Sequence, residues 1–259
     1  MTRRFAIYAA PGVRAGEHGT VGARLRDRAE RWLGRGVGPD PVEPAVPAGW
    51  TRPEIDAITV DARRYGFHAT LKPPFRLAPG RTPEELDAAV ARFAAGRAGA
   101  VIPALALGRL GGFFALVPGE EDPALNALAD DVVRAFDDFR DPPTEAELER
   151  RHRAGLTARQ RELLGAWGYP YVLDEFRCHL TLTDRIPAPR RPAVERVLRD
   201  WFAPSLGADV PVDALAVFAE AEPGAPFLLH AVHDLRPTPA DASRPGPAVA
   251  DPTHSEGVR

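Results

Sequence analysis

The chain has 259 residues, and its 44% hydrophobic and 27% charged residues are typical of a globular protein of one large or two small domains. A net charge of −3 excludes a general electrostatic attraction to nucleic acid or to an anionic membrane, so a polyanionic ligand needs a local patch of cations. The single cysteine, Cys178, excludes an intramolecular disulfide and a multi-cysteine zinc site, and we expect a cytoplasmic protein.

The first half of the chain predicts alternating strands and helices. In chain order we predict a strand over 5–10, a helix over 21–33, a proline- and glycine-rich loop over 34–53, a strand over 65–72, a helix from Thr82, and a hairpin of 102–107 with 113–117. Pro73 and Pro74 are expected to end the second strand, because proline cannot donate a ladder hydrogen bond. Thr82 is a typical N-cap residue, followed by proline and two acids.

The second half repeats the order of strand, helix and hairpin. A strand over 176–183, a helix over 192–202 and a hairpin of 214–221 with 227–232 follow one another like their counterparts in the first half. The matching order predicts that two duplicated units make up most of the chain.

These units define the expected domain organisation. We predict one bilobal α+β domain at 1–236, with lobes at about 54–138 and 171–236, residues 1–53 packed on them, a helical connection at 139–170, and a tail at 237–259. The tail is rich in Pro, Ala, Ser and Asp and has few large apolar residues to bury, so we expect it to be disordered.

A short motif occurs once in each predicted unit. His68-Ala-Thr70-Leu and His179-Leu-Thr181-Leu share the pattern H-x-T-L, and both lie in predicted strands. Residues two apart in a strand share a face, so each histidine is expected to lie beside its threonine. The same alternation puts a cation on each of these faces, Lys72 in the first copy and Arg177 in the second.

Ordinary structural roles are the alternative for each of these residues. A strand histidine can simply be half-buried and bonded to a backbone carbonyl, and threonine is common in strands because of its branched side chain. Lys72 and Arg177 can be solvated surface cations. The matched position of the two motifs within the repeated unit favours a shared functional role for the histidine pair.

Three segments resemble a known family. Residues 65–75 (YGFHATLKPPF), 110–118 (LGGFFALVP) and 167–183 (WGYPYVLDEFRCHLTLT) are similar to the DUF1045 family, whose members are described as phosphonate-metabolism proteins. That family in turn resembles the two-histidine (2H) phosphoesterases, which include 2′-5′ RNA ligase-like and cyclic nucleotide phosphodiesterase enzymes. The resemblance covers about residues 4–235. It implies an α+β fold of two pseudo-symmetric lobes, each with an antiparallel sheet, and a central cleft that holds both H-x-T motifs.

The resemblance also implies a chemistry for the candidate residues. His68 and His179 would be the catalytic acid and base that open a cyclic phosphodiester, and Thr70, Thr181, Lys72 and Arg177 would bind the phosphate. The motif strands carry no cluster of carboxylates, so we expect neither a metal nor a cofactor. Which histidine is the base is left open.

Three functions remain open from the sequence. The first is a monomeric cyclic phosphodiesterase of a small phosphorylated metabolite, with a place in phosphonate metabolism taken from the family's description. The second is an RNA-end-processing 2′-5′ ligase or cyclic phosphodiesterase, which the negative net charge disfavours. The third is a non-catalytic protein that binds a phosphorylated ligand.

Overall fold

The computed structural model describes residues 3–14, 16, 18–38, 41–152 and 155–237. Its helices are α1 (Val21–Leu33), α2 (Arg52–Asp56), α3 (Val60–Tyr65), α4 (Pro83–Gly96), α5 (Pro123–Ala135), α6 (Glu145–His152), α7 (Ala158–Trp167) and α8 (Arg191–Phe202). Its strands are β1 (Arg4–Ala9), β2 (Ala69–Arg76), β3 (Ala100–Ile102), β4 (Ala106–Leu110), β5 (Phe113–Val117), β6 (Leu180–Thr181), β7 (Val210–Val212), β8 (Ala214–Glu220) and β9 (Phe227–Asp234). The predicted disordered tail lies outside the described residues from position 238 onward.

A seven-stranded sheet forms the centre of the molecule. Its strand order is β4-β5-β6-β2-β1-β8-β9, and neighbouring strands are antiparallel throughout. The two motif strands, β2 and β6, are therefore neighbours in the middle of the sheet. The α+β class with antiparallel pairing is confirmed.

The predicted repeat is confirmed, and each copy also contains a short extra strand. The first unit runs β2, α4, β3, β4, β5, and the second runs β6, α8, β7, β8, β9. The extra strands β3 and β7 pair with each other in a separate two-stranded sheet. We expected a sheet within each lobe, whereas the β2–β6 pairing joins strands of both units in one sheet. The two lobes and their boundaries stay a prediction.

Strand β2 continues through the two prolines that we expected to end it. The strand reaches Arg76, and its register against β1 shifts on both sides of Ile7, whose partner is Lys72. Pro73 and Pro74 lie in the irregular part of this ladder, between the pairs Ile7–Lys72 and Phe5–Phe75. A bulge leaves residues without ladder bonds, so prolines are tolerated there.

The sheet separates two layers of buried side chains. Ile7 of β1 belongs to the main core, to which α1, α4, α5 and α8 contribute. Tyr8 belongs to a smaller cluster with Phe218 and Phe227. Because consecutive strand residues point to opposite faces, the smaller cluster lies on the face of the sheet away from the main core. Strand β1 is buried on both faces, as expected for a strand in the middle of a sheet.

The turn between α3 and β2 holds the start of the first motif strand. Gly66 ends α3 with φ of 78°, and a Cβ atom at this position would lie 2.5 Å from Cγ1 of Val37, so only glycine fits. The N-terminus of α3 is held by the segment that follows the second motif strand, β6. The Asp184 carboxylate accepts hydrogen bonds from the backbone N–H groups of Asp61, at 3.0 Å, and Ala62, at 3.1 Å. Helix α3 thus connects the ends of both motif strands.

Candidate functional site

The two H-x-T motifs lie side by side with a local two-fold relationship. Ala69 of β2 pairs with Leu180 of β6 in antiparallel register. Extending this register by one residue in each direction places His68 beside Thr181 and Thr70 beside His179. Each histidine therefore has a threonine from its own strand two residues away and another from the neighbouring strand directly opposite.

Both imidazoles are oriented by the same kind of hydrogen bond. Nδ1 of His68 lies 2.9 Å from the carbonyl oxygen of Gly66, and Nδ1 of His179 lies 2.6 Å from the carbonyl oxygen of Arg177. A carbonyl only accepts, so Nδ1 of each ring carries the proton and donates it. This tautomer makes both Nε2 atoms hydrogen-bond acceptors. In His68, Nε2 lies 3.2 Å from the Thr70 hydroxyl.

Aromatic rings surround the His68 imidazole. The ring of Tyr8 stacks on it with centroids 3.7 Å apart and planes 19° apart, and the Phe218 ring lies at 6.2 Å. The His68 residue is 9% exposed. His179 is half-buried, and its ring lies 5.7 Å from the ring of Phe113. The first histidine is thus more fully enclosed than the second.

Burial lowers the pKa of both histidines. The pKa of His68 falls to about 4, mainly because burial disfavours the imidazolium; the Gly66 carbonyl raises it, and the nearby His179 lowers it further. Burial likewise lowers the pKa of His179, and its bond to the Arg177 carbonyl opposes that shift.

A cavity of about 500 Å³ opens beside the histidine pair. His68 and Thr181 line it, Tyr65 and Phe113 contribute aromatic rings, and Asp61 and Arg185 contribute charged groups. His179 adjoins this space through its contact with Phe113. The cavity brings the His68 imidazole, two threonine hydroxyls, apolar surface, two carboxylates and one arginine around a volume that suits a small molecule, with His179 in contact with its wall at Phe113.

Lys72 does not lie beside the two histidines, so the prediction that it shares a strand face with His68 is wrong. Its residue is 2% exposed, and its Nζ atom donates to the Val133 carbonyl of α5, at 3.1 Å, and to Asp137, at 3.2 Å. The bulge described above pairs Lys72 with Ile7, on the main-core face, whereas Thr70 pairs with Tyr8 on the other face. The side chain is therefore directed away from the cavity.

Arg177 also lies apart from the cavity. It is exposed, and its guanidinium donates to the carbonyl oxygens of Asp174, at 3.2 Å, and Phe176, at 2.7 Å. The alternation of faces is nevertheless correct here, because Cys178 and Leu180 pack in the main core as predicted while His179 and Thr181 do not. Arg177 contributes to the site through its backbone, because its carbonyl oxygen accepts the Nδ1–H hydrogen bond that orients His179.

Sequence reasoning missed two residues that belong to this site. Arg185 lines the cavity and is the continuation of the alternating series of His179, Thr181 and Thr183, so extending the face by one step would have found it. Tyr8 stacks on His68 from a strand 60 positions away in the sequence. No local pattern could reveal that contact, because it depends on the pairing of β1 with β2.

Two further properties concern metals and membranes. Within the described ranges, no three side chains of His, Cys, Asp or Glu are grouped so that they could hold a metal ion. None of the helices in the same ranges combines the length and the hydropathy needed to cross a bilayer.

Comparison with solved structures finds phosphoesterases of low similarity. A structure described as a phosphoesterase is 13% identical, with a TM-score of 0.38, and the match covers 91% of this chain and 99% of that chain. A structure of Escherichia coli LigT complexed with 3′-AMP is also 13% identical, with a TM-score of 0.39 and the same coverage.

Curated relatives are much closer in sequence. A protein of Janthinobacterium sp. (strain Marseille) named ribose 1,5-bisphosphate phosphokinase PhnN is 40% identical over 202 residues, which are 76% of this chain and 45% of that protein. A protein of the same name from Laribacter hongkongensis (strain HLHK9) is 36% identical over 227 residues, 87% of this chain and 50% of that protein. The chain spans about half the length of the curated relatives it matches.

A family model gives the final comparison. It is described as a protein of unknown function, DUF1045, and it matches residues 70–228, a segment that contains β2 from its second residue, all of β6 and both threonines of the H-x-T motifs. Because this match covers more than half of the chain, the protein belongs to the DUF1045 family.

Proposed function

We propose that this protein is a metal-independent phosphoesterase that opens a cyclic phosphodiester of a small ribose phosphate, with His68 and His179 as acid and base. The observation that carries the proposal is the matched geometry of the two imidazoles. Both directly precede neighbouring central strands, both donate Nδ1–H to a carbonyl two residues earlier, and both therefore have an unprotonated Nε2; His68 lines the cavity and His179 contacts its wall at Phe113. This is the arrangement that a paired proton transfer requires.

The reaction needs one proton acceptor and one proton donor. The neutral imidazole takes a proton from water through Nε2 while the water oxygen forms a bond to phosphorus. One ring P–O bond breaks, and the protonated imidazole gives its proton to the departing sugar oxygen. The products are a phosphomonoester and a free hydroxyl group, and the two histidines return to their initial states by exchanging one proton with solvent.

The different environments support an assignment of the two roles. His68 is the more enclosed ring, and its pKa of about 4 keeps it neutral over most of the pH range, as a base must be. His179 is half-buried beside the cavity, so it exchanges protons with solvent more readily. We therefore assign His68 as the base and His179 as the acid.

Hydroxyl groups would stabilise the charge that develops on the phosphate. Thr70 and Thr181 lie opposite the two histidines in the register of β2 and β6, so a phosphate held between the imidazoles has a hydroxyl donor on either side. Neutral donors of this kind suit a phosphodiester that carries a single negative charge. Lys72 is not part of this proposal, because its ammonium group is bonded to Asp137.

The cavity and the names of the relatives support a phosphorylated ribose as the substrate. The volume of about 500 Å³ accommodates a sugar phosphate, and Asp61 at the cavity wall can accept hydrogen bonds from sugar hydroxyls. The relatives are named for ribose 1,5-bisphosphate. Hydrolysis of the 1,2-cyclic phosphate of ribose 5-phosphate at the 2-oxygen would yield that compound.

We do not extend the phosphokinase activity in the relatives' name to this chain. A nucleotide-binding P-loop needs a glycine-rich segment followed by a lysine that reaches the phosphates. Lys72 is the only lysine of the chain, follows Leu71 in a strand and is buried against Asp137. The chain also spans only about half of those relatives.

The main alternative within the same chemistry is an enzyme that acts on RNA ends. A single arginine, two carboxylates and one neutral histidine give the cavity lining little attraction for a polyanion. The other alternative is a protein that binds a phosphorylated ligand without turnover. A half-buried acid and a buried base would be unnecessary in such a protein.

One assay separates the three functions. The panel contains ribose cyclic phosphates, 2′,3′-cyclic nucleotides and short RNAs that end in a cyclic phosphate, each incubated with the wild type and with His179→Ala at low and high salt. We expect opening of the small ribose esters by the wild type only, with a shallow dependence on salt. Steeply salt-dependent RNA turnover would favour the RNA enzyme, and ligand binding without any turnover would favour the binding protein.

A further inference from the structure

The carbonyl group that orients His68 belongs to the residue that follows a short helix. Helix α3 ends at Gly66, whose carbonyl oxygen lies 2.9 Å from Nδ1 of His68. The backbone N–H of Gly66 donates to the Ala62 carbonyl at 3.1 Å, so the last turn of α3 fixes the position of this glycine. A helix of six residues is too short to be stable in water by itself. The position of the Gly66 carbonyl therefore depends on what holds α3.

Both ends of α3 are held by side chains from other parts of the chain. At the C-terminal end, the Arg35 guanidinium donates to the carbonyl oxygens of Arg63, at 2.5 Å, and Arg64, at 2.8 Å. At the N-terminal end, Oδ1 of Asp184 accepts two hydrogen bonds from backbone N–H groups of the first turn, at 3.0 and 3.1 Å. Two held ends set the direction of the helix axis, and loss of either lets the helix pivot about the other.

Asp184 is itself fixed in the segment that follows β6. Its backbone N–H donates to the Ile58 carbonyl at 2.7 Å, and its carbonyl oxygen accepts from the Thr183 hydroxyl at 2.9 Å. Thr183 is buried, and its hydroxyl oxygen accepts in turn from the backbone N–H of Phe114 in β5, at 3.0 Å. A continuous series of hydrogen bonds thus leads from the central sheet through Asp184 to α3.

The acceptors of the two histidines are held in different ways. His179 bonds to the carbonyl of Arg177 on its own segment. The acceptor of His68 is held by Asp184, which belongs to the segment that carries His179. An imidazole that donates from Nδ1 has an unprotonated Nε2, and only an unprotonated nitrogen can take a proton from water. The position of the Gly66 carbonyl thus decides whether Nε2 of His68 can act as a base.

We infer that Asp184 is a positioning residue for the proposed base: it holds α3 so that the Gly66 carbonyl keeps the proton of His68 on Nδ1. This inference rests on the proposed function and deepens it, because the segment that carries one catalytic histidine fixes the tautomer of the other. Asp184 acts through Gly66 and not through contact with the reacting atoms.

Two substitutions separate the acceptor oxygen of Asp184 from its charge. Asp184→Asn and Asp184→Ala both remove the charge, but only asparagine keeps a carbonyl oxygen that can accept at the position of Oδ1. Asp122→Ala is the matched control, because the Asp122 carboxylate also accepts from two backbone N–H groups, those of Ala124 and Val101, at the start of α5. Each variant is first checked for folding by circular dichroism. Should Asp184→Ala not fold, Asp184→Ser replaces it, since the serine oxygen lies one bond closer to the backbone than Oδ1.

The ¹⁵N NMR signals of the two imidazoles report the tautomers without any substrate. The spectra are recorded at pH 8, where both rings are neutral, and the signals are assigned from the spectra of His68→Ala and His179→Ala. We expect Nδ1–H in both rings of the wild type, Asp184→Asn and Asp122→Ala. In Asp184→Ala we expect His68 to populate the Nε2–H tautomer, while His179 keeps Nδ1–H because its acceptor is unaffected.

Turnover of a ribose cyclic phosphate gives the second readout. In Asp184→Ala we expect kcat to fall about 10-fold or more with KM changed less than about 3-fold, because the Nε2–H tautomer of the base cannot accept the proton. In Asp184→Asn and Asp122→Ala both constants should stay within about 3-fold of the wild type.

Three results would overturn the role of Asp184: an unchanged His68 tautomer in folded Asp184→Ala, equal effects of the alanine and asparagine variants, or the same change of tautomer in Asp122→Ala. The expected tautomers without turnover by the wild type would contradict the proposed function instead, and the hold of Asp184 on the His68 tautomer would stand.

Discussion

The ring of Tyr8 lies flat on the imidazole of His68, with centroids 3.7 Å apart and planes inclined by 19°. Tyr8 is fully buried, so the stack shields one face of the base from water. Its hydroxyl group has no hydrogen-bond partner among the described residues, which indicates that the ring, more than the hydroxyl, matters for His68. Tyr8 thus acts as a positioning residue for the proposed base.

Removal of the Tyr8 ring should raise the pKa of His68. In Tyr8→Leu, water gains access to the imidazole, and the burial that depresses its pKa to about 4 is relieved, whereas Tyr8→Phe keeps the stack. We expect the acid limb of kcat/KM to move toward pH 6 in Tyr8→Leu and to stay in place in Tyr8→Phe. NMR titration of the His68 ring measures the same pKa without substrate, and an unchanged value in Tyr8→Leu would contradict this role.

The wild-type pH profile should have an acidic optimum. The base must be neutral, and His68 is neutral above about pH 4. The acid must be protonated, and burial lowers the pKa of His179 below 6.5, so His179 is protonated only at acidic pH. The two conditions overlap between about pH 4 and pH 6.5, so kcat/KM should be bell-shaped with its maximum in that interval. Measurement across pH 3.5–9 with a stable small substrate checks this. A maximum above pH 7.5 would contradict the assignment of these two groups.

Lys72 should affect stability and leave catalysis intact. Burial lowers its pKa to about 8, although Asp137 raises it, so between pH 8 and its ordinary value of 10.5 the unfolded chain binds more protons than the folded one. The free energy of unfolding therefore rises with pH in this interval, and the rise is absent below pH 8. Lys72→Met removes the titrating group while Asp137 keeps its bonds to Arg140.

Denaturant unfolding of the wild type and Lys72→Met checks this slope. We expect the difference in unfolding free energy between the two proteins to change by about 1–2 kcal/mol from pH 8 to pH 9.5. The kcat/KM of Lys72→Met for a cyclic phosphate should stay within about 3-fold of the wild type. A loss of about 100-fold in kcat/KM with unchanged folding would indicate that Lys72 does bind the phosphate.

Chelation should leave turnover unchanged. Every proton transfer in the proposed reaction passes through an imidazole, and the phosphate is held by hydroxyl groups, so no step calls for a bound ion. We expect full activity after exhaustive dialysis against EDTA and no increase on addition of Zn²⁺, Mn²⁺ or Mg²⁺. Loss of activity on chelation, with recovery by one metal, would contradict the mechanism.

The sequence predicted the order of the local elements, because helices and strands have characteristic residue periods, but the strands expected over 65–72 and 176–183 are β2 (Ala69–Arg76) and the two-residue β6 (Leu180–Thr181). Around β6 the alternation of Cys178, His179, Leu180 and Thr181 between the core and the site is as expected. At Lys72 the same rule fails, since one irregular pairing with β1 turns the side chain to the other face. A bulge of this kind depends on the partner strand, which the local pattern does not contain.

Long-range pairing explains the remaining differences. The single sheet arises because β2 and β6, which are 111 positions apart at Ala69 and Leu180, pair with each other. The stack of Tyr8 on His68 depends on the pairing of β1 with β2. Each of these features follows from tertiary structure.

The central claim is that His68 and His179 act as one catalytic unit, and a double-mutant cycle tests it most directly. The measurement is kcat/KM for a ribose cyclic phosphate with the wild type, His68→Ala, His179→Ala and the double variant, each first checked for folding by circular dichroism. We predict that either single change lowers the rate by about 100-fold or more and that the double change costs little beyond the larger single loss. Substantial turnover in both single variants, with losses that multiply in the double variant, would contradict the account.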